Sequence, residues 1–371
     1  MFIKRFDLSL AIPLAAITMA VRPILLANFF NLDILGKYIL ILSISIPLAF
    51  LIGGAAEVKI LSDKITNNSR NNEILKNRNA VYIILSLILI VSAILTNLLF
   101  FWIIAAAFLH LGVVTSLSLL RFYDENFFLI ANLQRAVGVV LASIGAIYLS
   151  NIMMVFVLDL LLLAAIYLFK FNLLVPSFTK FNLNAFNNFS IPYLLNSILS
   201  NTDRYIVSIF GLEALGIYAI ASIFSSAGVL CSGVINSFLF HNKVKNIKKI
   251  LFVCIFFGAL IIILSTTKPF DWLINFILPL KSSWMPIAGM TIFSLSFINI
   301  IEYLVLIENS PNYIVKQISI SLASFSASLL FLLNFLEFNI SEGIWLSVIV
   351  AAAVKLIYLA LLVTFSKKQL L

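Results

Sequence analysis

The sequence predicts an all-α integral membrane protein with twelve transmembrane helices in two six-helix lobes, related by a pseudo-two-fold axis along the membrane normal. Three observations predict it. Of the 371 residues, 63% are hydrophobic and 11% charged, and the mean hydropathy is +1.14; this is far from soluble averages, and apolar runs of spanning length recur from Leu8 to near Phe365. The Lys and Arg outside those runs collect on alternate connections. Short patterns near the start of the chain return about 180 positions later.

A spanning helix needs about 20 apolar residues to cross a hydrocarbon core roughly 30 Å thick, and it satisfies its own backbone in lipid, which an open sheet does not. Met1–Asp7 sets Lys4 and Arg5 before the first apolar run, as a signal peptide would. That run is too long for one, contains Arg22 and lacks a cleavage pattern, so it reads as the first helix, 8–30. The second, 38–56, follows the hairpin "LDILGKYIL" (Leu32–Leu40), where Gly36 permits a tight turn and Tyr38 suits the headgroup level. The 42-residue apolar stretch Ala80–Arg121 would overshoot any bilayer as one helix and divides at Thr96–Asn97 into 80–97 and 99–120. The fifth and sixth helices are 127–149 and 152–170.

A linker at 171–186 ends the N-terminal lobe, 1–170, and the C-terminal lobe is 187–371. Its helices are 187–210, 216–240, 250–267, 285–306, 314–335 and 343–366. The hairpin "LEALGIYAI" (Leu212–Ile220) repeats the first one, with Gly216 and Tyr218 in place of Gly36 and Tyr38. Pro13 and Pro192 lie 179 apart, Arg22 and Arg204 182, and Gly36 and Gly216 180. Three landmarks in one order, at an offset equal to a six-helix half, indicate a duplication. Six helices return the chain to its starting side, so the second lobe inserts in the same direction as the first and a pathway is expected between them.

Seventeen Lys and Arg fall on one side, including Arg78, Arg121 and the four lysines of "HNKVKNIKK"; the other side has Lys37, Lys268 and Lys281. The positive-inside rule then puts both termini in the cytoplasm, which requires an even helix count. The net charge of +9 mostly reports this topology; the basic loop meets membrane lipid headgroups, and no nucleic-acid partner is implied.

Charge inside the bilayer marks the candidate site. Arg22, Arg135 and Arg204 each carry an insertion cost of about 2.5 to 3.5 kcal/mol at a helix centre, which something must offset. Arg22 and Arg204, on the first and seventh helices, could face the inter-lobe cavity, where water and an anionic group would do so, a guanidinium fork being suited to phosphate oxygens. The alternative is snorkelling to the outer headgroups, about 10 to 13 Å away. Arg135 lies about 12 to 16 Å from the inner face and is a further cavity candidate. Asp203, Asp159, Glu302 and Lys355 are placed for ion coupling or for neutralising pairs, such as Asp159 with Lys355. His110 reads as a packing histidine, and Cys231 and Cys254 as inert thiols.

The stretch "FNNFSIPYLLNSILSNTDRYIVSIFGLEALGIYAIASIF", Phe186–Phe224, resembles the opening of the second lobe in polysaccharide and O-antigen flippases (Wzx-type) of the multidrug/oligosaccharidyl-lipid/polysaccharide exporter (MOP) superfamily. A Ser-x-Pro start, an Asp-Arg pair and a Gly-x-Tyr hairpin follow there in that order. The N-terminal copy, with Arg22 and "LGKY", extends the resemblance over nearly the whole chain. It implies a MATE/MOP-like fold and a transporter that moves an undecaprenyl-pyrophosphate-linked oligosaccharide, the repeat unit of O-antigen or a related surface polysaccharide, from the cytoplasmic to the outer leaflet by alternating access. Arg22 and Arg204 would meet the pyrophosphate. The resemblance also implies a bacterial cytoplasmic (inner) membrane, no cofactor, and polysaccharide polymerase machinery as a neighbour. Very short loops and the lack of two extra C-terminal helices argue against the peptidoglycan-precursor branch.

Two other classes stand beside this one. A polymerase or glycosyltransferase would need acid, base or metal groups on a sizeable outer loop, and the longest here, Lys268–Trp284, has only Asp271. No paired carboxylates, phosphate loop or metal-spaced His/Cys cluster appears, so the chain is not expected to be an enzyme or to bind a metal. A drug or cation antiporter of the same superfamily is the alternative. It would want an acidic cavity, whereas four basic and three acidic residues fall within the helices.

Overall fold

The structure, a computed structural model, describes residues 21–53, 69–123, 125–169, 187–241, 247–269, 272, 274, 278, 284–297 and 312–366. Glu302 and the linker 171–186 lie outside them. All regular structure among the described residues is helical: α1 (21–29), α2 (Leu32–Gly53), α3 (Ser69–Thr96), α4 (Leu99–Tyr123), α5 (Glu125–Tyr148), α6 (Met154–Phe169), α7 (Asn187–Ser208), α8 (Leu212–His241), α9 (Ile247–Ser265), α10 (Met285–Phe297), α11 (Asn312–Asn334) and α12 (Ile340–Ser366). Six of these contain stretches long and apolar enough to cross a membrane.

The corners show why the helices stop where they do. Between α3 and α4 the break falls at Thr96–Asn97, where the Thr96 hydroxyl donates back to Ser92 O (2.7 Å) and Asn97 takes a left-handed φ of 52°. Asn tolerates that conformation because its short polar side chain can bond locally, which makes it a helix stop. Between α5 and α6, Ser150 has a φ of 51° and Asn151 Oδ1 accepts the Met153 N–H at 3.0 Å. Asn339 Oδ1 accepts the Glu342 N–H at 2.9 Å and so caps α12.

Two starts differ from the sequence expectation. "LDILGKYIL" and "LEALGIYAI" are not hairpin loops but the first turns of α2 and α8. Asn31 Oδ1 accepts the Ile34 N–H at 3.0 Å, and Asp33 and Glu213 lie in the first turns, where a carboxylate suits the positive end of the helix dipole. The turn into α8 is made instead by Gly211, at a φ of 108°.

The chain forms two compact units, Met1–Arg22 with Tyr38–Asn201, and Pro23–Lys37 with Thr202–Leu371. In the first, α4 packs on α3, α5 and α6. Its buried side is built from Ala105, Ala106, Ala107, Leu111, Thr115 and Ser116. Small and hydroxyl-bearing side chains allow close packing where lipid supplies no hydrophobic drive. The Ser116 hydroxyl donates to Gly112 O (2.6 Å) and accepts from Asn79 of α3 (2.9 Å). The faces of α3 are reversed relative to a soluble helix: Ile84, Leu87, Ile88, Val91 and Leu95 are exposed, while Asn79, Ser86 and Ala93 are fully buried. Such a helix presents its apolar stripe to lipid.

Arg78, expected in a connection between helices, lies inside α3. It is 4% exposed within α3, donates to Ile52 O (3.2 Å) near the end of α2, and stands 5.9 Å from the Tyr82 ring. A cation on the last carbonyls of a helix satisfies orphan acceptors and complements the dipole.

In the second unit α8, α10 and α12 meet in threes, and α9 and α11 add to α10 and α12 respectively. Trp345 fills the centre, 5.8 Å from Phe224 and 6.2 Å from Trp284 by ring centroids. The first turns of α2 and α8 also touch within this unit. A Cβ on Gly36 would collide with Leu212 O, and a Cβ on Gly216 with Leu32 O. The glycines therefore serve a reciprocal backbone contact, not the turn that the sequence suggested.

Candidate functional site

In the first unit, Arg22 of α1 reaches across to Asp159 of α6. Its two terminal nitrogens donate to the two carboxylate oxygens, Nη1 to Oδ2 at 2.7 Å and Nη2 to Oδ1 at 2.6 Å. The pair is largely enclosed, with side-chain exposures of 13% and 22%. Arg22 Nε is buried and finds no acceptor among the described residues. Phe156 lies one turn before Asp159 on the same face of α6. Its ring stands 5.5 Å from Tyr38 and 6.0 Å from Trp102, so an aromatic wall fixes this face. The Tyr38 hydroxyl lies beside the Arg22 guanidinium.

The partner of Asp159 is thus Arg22, where the sequence reading offered Lys355 as an example. Helical rise explains it. Asp159 lies five residues into α6 and Arg22 seven before the end of α1, about 8 and 10 Å from those ends. Two Nη donors also match two carboxylate oxygens, which an ammonium does not.

In the second unit, Asp203 and Arg204 lie near the end of α7. The Tyr218 hydroxyl of α8 donates to Asp203 Oδ2, and the Arg204 N–H donates to Oδ1 at 2.8 Å. The Tyr218 ring meets Phe325 of α11 edge-on at 5.7 Å. Asp203 is five residues before the end of α7 and Tyr218 six after the start of α8, so this cluster too sits about 8 to 9 Å along its helices. Tyr38 and Tyr218 are 1% and 7% exposed; both rings are packed inside the protein as buried polar anchors.

The other candidates are more dispersed. Arg135 is half-buried on α5, and His110 of α4 packs edge-on to Phe50 at 6.5 Å. Arg204 and Lys355 are half-buried on α7 and α12. Among the described residues no group of three His, Cys, Asp or Glu could hold a metal ion. The two tyrosines are the members of these clusters that the sequence reading missed, and their signal was the Gly-x-Tyr repeat itself.

No known family profile matches the sequence, and no curated protein matches it. Solved structures do. An outward-facing multidrug-resistance MATE family transporter of the MOP superfamily aligns with 98% of this chain and 95% of its own, at a TM-score of 0.56 and 13% identity. A MATE protein in complex with Br-NRF aligns over the same shares, at a TM-score of 0.48 and 14% identity. The chain therefore shares the all-helical, twelve-helix fold of MATE transporters of the MOP superfamily.

Proposed function

We propose that this protein is a transporter, not an enzyme, that flips an undecaprenyl-pyrophosphate-linked oligosaccharide, an O-antigen or related surface-polysaccharide unit, from the cytoplasmic to the outer leaflet. Its lobes in this reading are 1–170 and 187–371, its setting is a bacterial cytoplasmic membrane with both termini inside, and polysaccharide polymerase machinery is the neighbour that receives the product. The observation that carries the reading is the Arg22 guanidinium, held at depth in the helices with two oxygens already on its fork. The geometry that accepts a carboxylate pair accepts a phosphate pair. Arg204 and Arg135 supply further positive charge for the diphosphate. The sequence resemblance in Phe186–Phe224 supports the substrate class.

A second reading, a drug or cation antiporter, is favoured by the Asp203 carboxylate on Tyr218 and by the multidrug-resistance neighbour. Depletion of the protein in its own cell, with a leaflet-resolved assay of lipid-linked sugars, tests the first reading. Complete, unpolymerised units gathering on the cytoplasmic leaflet is the expected result. Unchanged lipid-linked sugars, with faster accumulation of a cationic dye, would move the antiporter to first place.

A further inference from the structure

The first cluster is complete without a substrate. Both Nη donors of Arg22 already end on Asp159, at 2.7 and 2.6 Å. Among the described residues Asp159 has no hydrogen-bond partner besides Arg22, so letting go of Arg22 breaks nothing else that holds the carboxylate. One donor of the same guanidinium, Nε, is buried without an acceptor. An oxyanion that enters as the pair opens can use this donor, which the carboxylate leaves unused. Neither side chain is sealed, at 13% and 22% exposure.

We propose that Asp159 is a tethered stand-in for the substrate's phosphate, holding the Arg22 fork oriented in the resting transporter and yielding it to an incoming phosphate oxyanion. This rests on the anion-carrying reading above. A carboxylate and a phosphate each present two oxygens at the spacing of a guanidinium edge. The tether keeps the competitor at a fixed, high effective concentration, which a free anion must overcome by binding more strongly. A phosphate or diphosphate group carries more charge than a carboxylate and can use Nε as well, so it displaces Asp159 on arrival. On departure the carboxylate returns, which speeds release and hinders rebinding. A pair with a purely architectural role would gain nothing from this chemistry, because a buried ion pair is commonly no better for stability than a packed apolar one.

The test uses the purified full-length protein in nanodiscs of neutral lipid, with farnesyl pyrophosphate, inorganic pyrophosphate and farnesol as probes. Asp159→Asn should bind farnesyl pyrophosphate about tenfold more tightly than the parent, equivalent to about 1.4 kcal/mol, and release it more slowly. Asp159→Glu, which keeps a tethered carboxylate, should stay near the parent, and Arg22→Ala should abolish both the binding and the gain. A measurement on the unaltered protein guards against variants that fail to fold: carbodiimide labelling of Asp159, read by mass spectrometry, should rise with farnesyl pyrophosphate and not with farnesol. Competition by inorganic pyrophosphate would assign recognition to the oxyanion alone, and its failure to the lipid-linked form. Arg22-dependent binding of farnesyl pyrophosphate with no gain in Asp159→Asn and no rise in labelling would overturn the exchange and leave the anion reading standing. Binding no better than farnesol in every variant would overturn both.

Discussion

The Arg22 cluster and the Asp203 cluster occupy matching places in the repeat, yet they use opposite logic. In each, a tyrosine two residues after the Gly of the repeated helix start points its hydroxyl at the charged group of the preceding helix. Tyr38 stands beside a cation that finds its acid far away in the chain, on α6. Tyr218 donates to an acid whose neighbour in sequence is the arginine itself. The two helix starts share the glycine and the tyrosine and differ in the charge that the tyrosine faces. A duplicated site is free to diverge in what it binds once packing no longer depends on the identity of the charge.

Transport should break this comparison most visibly. Arg22→Ala and Arg204→Ala are each expected to cut leaflet-resolved transport by at least about tenfold, or roughly 1.4 kcal/mol of lost recognition, and the double variant to abolish it, with Lys at either site partly preserving it. Normal transport in the double variant, at normal membrane abundance, would remove both arginines from the mechanism. Removing Asp159 as Asp159→Ala leaves Arg22 without its carboxylate, and loss of one partner of an enclosed pair costs about 3 kcal/mol; the apparent Tm in detergent should fall more than for Asp203→Ala, which among the described residues breaks a hydrogen bond to Tyr218 but no cross-helix ion pair. Equal falls would mean that the two clusters bear equal structural weight.

The glycines sharpen the symmetry. Gly36→Ala and Gly216→Ala each drive a methyl into a backbone carbonyl, and overpacking of this kind costs about 1 to 3 kcal/mol. Because both relieve themselves by the same separation of α2 from α8, the double variant should lose less than the sum, read again as apparent Tm. Strict additivity would show that the two contacts are independent. The smallest effect separates the tyrosines: Tyr218→Phe strips a donor from an enclosed carboxylate and should cost about 1 to 3 kcal/mol, whereas Tyr38→Phe, beside a guanidinium that keeps its acid, should cost less than about 1. Reversal of that order in the Tm values would erase the distinction between the two clusters.

Much of this fold could be read from the chain alone, because spanning length, break residues and alternate basic connections are local or compositional signals. The corner at Thr96–Asn97 is an instance, where two polar residues in an apolar run mark a stop that the structure realises. The starts of α2 and α8 were placed six and four residues late, because Gly was taken as punctuation when Asn31 and Asp33 were the true signs of a helix start. Arg78 was taken for a loop residue because its neighbours Lys76, Asn77 and Asn79 are polar, although α3 begins well before them.

The candidate site was less legible. Its residue types were visible, since ionisable groups in apolar runs are few, but the pairing of Arg22 with Asp159 spans 137 positions and depends on which helices are neighbours. Depth was the missing constraint. Counting back from the end of α1 and forward from the start of α6 puts the two groups at one level.

The contact between Gly36 and Gly216 has a consequence for ancestry. Gly36 meets the carbonyl of Leu212, and Gly216 meets the carbonyl of Leu32, so each side of the contact is the other with its labels exchanged. This is the arithmetic of an isologous interface, in which one surface patch binds a second copy of itself. A polypeptide half this length, pairing with its twin in the same orientation across the bilayer, would need a single glycine to make the whole contact, and a single substitution there would be felt twice. Joining two such copies in one chain would let each side change alone.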